Sequence, residues 1–416
     1  MQLKVLPACT ALVITVFTAF PSAADDPYII SYPDFIKKNN LVNDFSADHT
    51  RIPWSKIDYP SVVQWLKVNK SPIGIIEEAS KRQHYYRPYV ADPEMAKFNL
   101  PPSLMTAGFP SLAQNRAICD LLLTRAMLNT GENNTAAAWA DILTVMRLCR
   151  LFAQAPTTID FLAVIAVNNL AGEAAITFVQ LAKLSKEQLK KCLDDLEKLP
   201  PLPSLSSKYD LGERCYLLDT FLLARRQPAE SPEASKALSK INWDLPLKKI
   251  NANWDRLVAA LSEPDRQKRL QLLMEIEAKN GVIKRASGQP LDAKVIDQQS
   301  LDNQADTLFA FLLPAVLKVN NAVEIQQQRQ RNVFVALALE LYRADHGSYP
   351  DSLAKLSPTY LKAAPADLFS RQLLLYSKSD MGYRFYSVGP NGKDDGGRTT
   401  TDDPAGDDLV VKLYWE

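Results

Sequence analysis

Apolar residues recur three and four positions apart through most of this chain. Only after Gly347 do they alternate or run in short blocks. The helical spacing predicts a helix over 59–70, and Ser71-Pro72 reads as an N-cap with proline at the first helical position, opening a helix to Lys81. A helix from Ser111 to about Asn129 carries Ile118, Leu121, Leu122, Arg125 and Leu128 on one face, with Gly131 as its stop. Asn134-Thr135 starts the next helix, whose face is Trp139, Ile142, Leu143, Met146 and Cys149, with Arg147 and Arg150 toward the other side. From Thr157 to about Lys183 the pattern is apolar nearly all round, which marks a central helix. Ser185 and Gln188 form a capping-box pattern ahead of a helix that ends before Pro200. Further helices are predicted over about 208–226, 247–261, 264–280 and 305–345, the last kinked at Pro314. Residues 25–58 and 84–110 lack periodicity and read as an irregular arm and a loop. Leu373–Tyr376, Tyr383–Val388 and Leu409–Trp415 read as strands.

The expected fold class is therefore mostly α: a large helical domain, residues 25–320, followed by a small α+β domain, residues 321–416, with a short antiparallel sheet. Length fits this division, since 416 residues exceed one small domain. Six of the 14 glycines lie at 382, 389, 392, 396, 397 and 406, where turns at positive φ are expected. Lys plus Arg (48) nearly cancels Asp plus Glu (47), so no global field draws the chain to nucleic acid. Three histidines, His49, His84 and His346, lie far apart without metal-ligand spacing.

Residues 1–24 read as a secretory signal peptide, with Lys4 as the positive start, Val5–Phe20 as the apolar stretch and Ser22-Ala23-Ala24 before a cleavage point at Asp25. An uncleaved anchor is the alternative. No later segment has 18 uninterrupted apolar residues, so no stable membrane span is expected after cleavage, and the mature chain is expected in the periplasm or outside the cell. Four cysteines then remain, an even count that permits two disulfides in an oxidising compartment. Antiparallel helix pairs would favour 119–149 and 192–215; buried free thiols are the alternative.

Between Asn391 and Asp408 stand six aspartates, at 394, 395, 402, 403, 407 and 408, among four glycines. Short-armed oxygen ligands on a glycine-punctuated loop suit Ca²⁺, which takes six to eight oxygens at about 2.3–2.6 Å. The spacing is not that of an EF-hand. A solvated acidic loop that guards a sheet edge has the same composition.

The runs "ALELYRADHGSYPDSL" (338–353), "YLKAAPADLFSRQLLLY" and "YRFYSVGPNGKDDGG" resemble the C-terminal domain of the major pseudopilin of type II secretion. The resemblance covers roughly the last 95 residues and implies a long helix ending in a Leu-Tyr-Arg turn, a three-stranded sheet and a calcium-binding loop. It places Asn391 where the family has a ligand aspartate. The family's short leader and polymerising membrane helix have no counterpart near Met1, so a pilin-like module on an exported helical protein is expected, not a pilus subunit. The helical part, in "WLKVNKSPIGIIEEASKRQHYYRPY" (65–89), "AWADILTVMRLCRLFAQAPTTIDFLAVIAV" (138–167) and "LEKLPPLPSLSSKYDLGERCYLLD" (196–219), resembles exported proteins of planctomycete type that carry the same module. That resemblance implies the architecture and no activity.

Within the helices, Asp210, Glu213 and Arg214 share a face by their spacing, Asp219 follows on the same helix, and with Arg147 and Arg150 they would make a polar cleft. Two carboxylates there suit general acid/base work; ion pairs between helices suit the same residues. "KRQHYYRPY" (81–89) mixes bases and rings and reads either as a stacking surface or as a loop covering the core. The sequence thus points to an exported, non-enzymatic binding protein with a calcium-stabilised pseudopilin-like module, its partner a protein or an envelope component. The alternative is an envelope hydrolase using Asp210, Glu213 and Asp219.

Overall fold

The computed structural model describes residues 29–90, 92–93, 102–108, 111–226, 236, 239–240, 242–286, 306, 309 and 316–414. The expected signal peptide and the kink at Pro314 lie outside these residues. The chain is mostly helical, with a small three-stranded antiparallel sheet near its C-terminal end.

The arm is more ordered than its lack of periodicity predicts. Ser31 caps a helix, α1 (Tyr32–Asn39), and a 3₁₀ turn covers Ala47–Thr50. Both are held by rings: Tyr32, Phe45 and Trp65 pack together, and His49 stands edge-on to Tyr59 at 4.1 Å. Trp54 donates to the Thr124 carbonyl at 3.2 Å. Such tertiary ring contacts leave no local sequence period.

Two short helices follow, α2 (Pro60–Val68) and α3 (Lys70–Ala79). The second begins at Lys70, not at Pro72, because Asn69 already breaks the backbone between them. Pro72 is tolerated at the third helical position, where its missing N–H would have had no partner in the helix.

The core is built by α4 (Ser111–Gly131), α5 (Thr135–Phe152) and α6 (Thr158–Leu181), which pack on one another. Gly131 is the last residue of α4; a Cβ there would stand 2.3 Å from the Trp54 carbonyl oxygen, so the arm's close approach requires glycine. Thr157 caps α6 through the Asp160 amide, and the expected capping box at Ser185 opens α7 (Lys186–Glu197).

After the prolines come α8 (Leu205–Lys208), one π turn over Tyr209–Glu213, and α9 (Arg214–Arg226). Two further helices, α10 (Asp244–Leu261) and α11 (Arg266–Ala286), pack against each other. Glu324 on α12 (Val316–His346) is buried and accepts from Arg266 Nε at 2.9 Å and Arg269 Nη2 at 2.7 Å.

The long helix α12 runs unbroken through the expected boundary at 320/321. Val333, Leu337 and Leu341 join the core around α6, while Val335, Ala338 and Leu339 join a second core with Tyr349, Tyr383 and Phe385. Gly347 ends the helix at φ +74°, as the turn motif implies. The sheet order is β1 (Leu375–Lys378), β2 (Tyr383–Ser387), β3 (Leu409–Leu413), all antiparallel, with Tyr376 opposite Phe385 and Phe385 opposite Val411. Gly389, Gly392, Gly396 and Gly397 adopt positive φ. Gly382 and Gly406 do not; a Cβ on either would strike a backbone carbonyl, at 1.9 and 2.4 Å.

Of the two readings left open, disulfides or free thiols, the structure has the free thiols. Cys119, Cys149, Cys192 and Cys215 are all free thiols. Cys119 and Cys149 are buried apolar residues of α4 and α5, and burial pushes the Cys149 thiol up to about 12. Cys192 is on the buried face of α7 while Cys215 is exposed on α9, so that pair occupies different surroundings.

Arg125, the one polar member of its face, is the hub of an ion-pair group. Its guanidinium donates to both oxygens of Asp141, Nε at 2.9 Å, and to Glu77 at 2.6 Å. The two partners shift in opposing senses. Burial pushes the Asp141 carboxyl up to about 6, while burial's pull on Arg125 is outweighed by the two carboxylates, which raise it. The penalty falls on Asp141 because it is 1% exposed and the guanidinium side chain 26%. Breaking one side of such a pair costs more than replacing both. Asp141→Ala is therefore expected to lower stability by about 3 kcal/mol in urea denaturation, and Arg125→Met with Asp141→Leu to recover most of it. A loss below about 1 kcal/mol for the single variant would show the pair to be a bystander.

Candidate metal centre and apolar cleft

In the acidic loop the fold sorts the predicted ligands. Asp395, Asp407 and Asp408 each bring a carboxylate oxygen within 4.8 Å of the others. Turns make this convergence possible. Gly389 at φ +68° leaves room for Asp407: a Cβ there would lie 2.1 Å from the Asp407 carbonyl and 2.7 Å from its Oδ1. Asn391 holds the group together, its amide N–H donating to Asp407 Oδ2 at 2.9 Å and its Nδ2 to Asp395 Oδ2 at 3.0 Å. The Gly397 N–H donates to Asp408 Oδ2 at 2.7 Å, and the Asp407 N–H to Asp395 Oδ2 at 3.2 Å.

Burial raises the carboxyls of Asp407 and Asp408, and the charge of Asp395 beside them raises both further. Asp395 is lowered, chiefly by the Asn391 side chain. Asp407 Oδ1 is buried with no hydrogen-bond partner. A buried carboxylate oxygen without a donor is costly, and a hard cation would satisfy it. The donor set is all oxygen, which fits Ca²⁺.

The other predicted ligands stand outside the group. Asp394 accepts from Tyr386 Oη at 3.1 Å and the Gly396 N–H at 2.8 Å. Asp402 accepts from the Thr399 N–H at 2.6 Å, closing its own turn. Asp403 is exposed. Asn391 faces its Oδ1 to the Lys393 N–H and acts as a brace.

The carboxylates of the helical domain are spread out. The π turn alters the spacing that would align them. Gly212 presses so close to α6 that a Cβ would lie 2.2 Å from the Pro156 carbonyl oxygen, and Glu213 is driven inward. Its Oε1 accepts from the Thr158 N–H at 2.8 Å, at the start of α6, and burial raises its pKa against that hydrogen bond. Asp210 pairs with Arg214 at 2.7 Å, as i, i+4 spacing predicts, and Arg214 also reaches Asp255 at 2.8 Å. Asp219 Oδ2 accepts from the Leu104 N–H at 2.7 Å. Arg150 does not face this group: it is buried and donates to Asn168 Oδ1 at 2.7 Å, and to the carbonyls of Met146 and Pro200.

A concave site of the helical domain lies elsewhere, between the first turns of α4, the end of α5 and the first half of α6. A cleft of about 420 Å³ opens there, walled by Tyr85, Leu112, Phe152, Ile159 and Leu162. Tyr85 comes from the basic, aromatic segment 81–89; its ring lies edge-on to Phe152 at 5.3 Å, whereas Tyr86 is exposed. Asn115, Arg116 and Asp160 are the amide and charged side chains along the cleft among the described residues. Asp160 is buried and fully engaged, by Arg87 at 3.0 Å, Thr157 Oγ1 at 2.6 Å and Tyr89 Oη at 3.1 Å. Behind the cleft, Lys208 is buried and donates to the carbonyls of Ala153 and Ala155. Sequence periodicity did contain a sign of this cleft. A helix apolar on every side needs cover on every side, yet only 56% of the most apolar stretch of α6 is buried.

The chain matches no family model, no curated protein and no solved structure.

Burial lowers the Lys208 ammonium from 10.5 to about 8, with the Asp160 charge acting weakly the other way. Between about pH 8 and 10.5 the unfolded chain holds this proton and the folded chain does not, so this group makes stability rise with pH across that window. Below pH 8 both states are protonated and the contribution is flat. Lys208→Met is expected to remove that rise, read as the difference in urea midpoint between pH 8 and 10 in the two proteins. An equal slope in both would place the titration elsewhere.

Proposed function

We propose that this chain is an exported binding protein, released to the periplasm or cell exterior after removal of residues 1–24. Its helical body takes a ligand or partner, and its C-terminal pseudopilin-like module is clamped by calcium. The observation that supports the clamp is the meeting of Asp395, Asp407 and Asp408, with the buried Asp407 Oδ1 lacking any donor. The long helix, the turn at Gly347 and the three-stranded sheet are in keeping with the module. Binding is favoured over hydrolysis because Asp210, Glu213 and Asp219 each serve a structural contact and none of them lines the cleft.

A cation that binds only the folded chain stabilises it by mass action, about 2.7 kcal/mol at a hundredfold excess over Kd. Calcium is expected to raise the melting temperature of the mature protein by several degrees over the value in EDTA. Asp407→Asn with Asp408→Asn removes the difference, whereas Asp402→Ala with Asp403→Ala retains it. Coincident melting curves of the unaltered protein in calcium and in EDTA would refute the clamp.

A further inference from the structure

We infer that the cleft between α4, α5 and α6 binds a single-chain amphiphile, an unbranched aliphatic chain ending in a carboxylate. This names the ligand class of the binding role proposed above for the helical body and is independent of the calcium clamp.

The argument for a chain begins with α6. Ile159, Leu162, Ala163 and Ala166 fall at i, i+3, i+4 and i+7, one stripe of the helix, and all four line the cleft. None of them is buried, although all four side chains are apolar. The hollow in front of them is concave and within the roughly 300–1,000 Å³ of small-ligand sites. Ala113, Ala155, Ala163 and Ala166 keep its walls close to the backbone, which suits a slender chain over a ring system.

The argument for an anionic head is the set of unused hydrogen-bond donors at the rim. Asp160 is already neutralised by Arg87, with Thr157 and Tyr89 on the same carboxylate. Arg116 is different. Only its Nε is engaged, donating to both oxygens of Asp120 at 2.8 Å. Its two terminal nitrogens have no acceptor among the described residues, and its side chain is 49% exposed. A guanidinium with its outer edge free presents paired donors to a carboxylate, and Asn115, one position before it, adds an amide. A cationic head would find the Asp160 carboxylate already engaged.

The test uses the full mature protein and displacement of a fluorescent fatty-acid probe, with competitors below their micelle concentrations. Decanoate, dodecanoate and tetradecanoate should compete with affinity rising about three- to fourfold per added methylene until the cleft is full. Dodecanoate should outcompete dodecyltrimethylammonium by at least tenfold. Arg116→Gln should weaken dodecanoate about tenfold and leave dodecanol unchanged. Ala163→Trp fills the cleft and should abolish displacement; Ala166→Glu, at an exposed position, does the same by charge and guards against misfolding of the first variant. Both are accepted only if they melt as the unaltered protein does. Undiminished binding by either folded variant, or indifference to head group together with indifference to Arg116→Gln, would overturn the assignment. So would a dimer in sedimentation that Ala166→Glu dissolves while no amphiphile binds, since the stripe would then be a contact between two copies. The melting shift with calcium reports separately on the clamp, so loss of one result leaves the other standing.

Discussion

The structure depends on covering one helix. Thr158–Leu181 has apolar residues on every side, so water is excluded from it only if neighbours surround it. The helices Ser111–Gly131 and Thr135–Phe152 take one flank and Val316–His346 takes another. Because the last of these comes from near the end of the chain, its docking also brings the sheet home. Gln180, close to the end of the central helix, reaches both Tyr383 Oη and the Lys412 carbonyl at 3.3 Å. Among the described residues the stripe from Ile159 to Ala166 is not fully covered, and the cleft opens in front of it.

Polar groups inside this body are paired in ways that tie distant segments together. Arg125 joins Glu77 and Asp141; Arg150 joins two helices to the proline connector; Glu324 gathers Arg266 and Arg269. Arg266 also donates to the Pro390 carbonyl at 3.3 Å, one residue before Asn391, and its guanidinium lies over the Phe369 ring. The acidic loop is thereby fastened to the helical body and not only to its own sheet. Asp367 does similar work inside the module, accepting from Ser387 Oγ at 2.7 Å and the Val388 N–H at 3.2 Å.

Much of this was legible in the sequence. Helices with strong periodicity and side-chain caps, such as those opened by Thr157 and Ser185, lie where expected, and the three strands are within two residues of theirs. Contacts between residues far apart in sequence were not legible. The arm around Tyr32 is ordered by Trp65 and Phe45, and the start of the Lys70 helix is set by Asn69, whose side chain bonds Ile30. Within the acidic loop, composition named six aspartates and the family resemblance added Asn391, but only backbone turns decide which of them converge. Asp394 lost its place to a tyrosine hydroxyl and Asp402 to its own turn. The pairing of Asp210 with Arg214 followed from spacing, whereas the inward path of Glu213 needed the π turn and the closeness of Pro156.

The helix Val316–His346 serves two cores from two of its faces at once. Adding or deleting one residue in its middle would rotate the stretch Val333–Leu341, which carries both faces, about 100° against Val316, Val319 and Val323. Val335, Ala338 and Leu339 would then address the wrong neighbours, whatever their own chemistry. Length changes in this stretch are therefore tolerable only in steps close to whole turns. The sheet module and the helical body are geared to each other, and the last quarter of the chain cannot be transplanted like a detachable cassette.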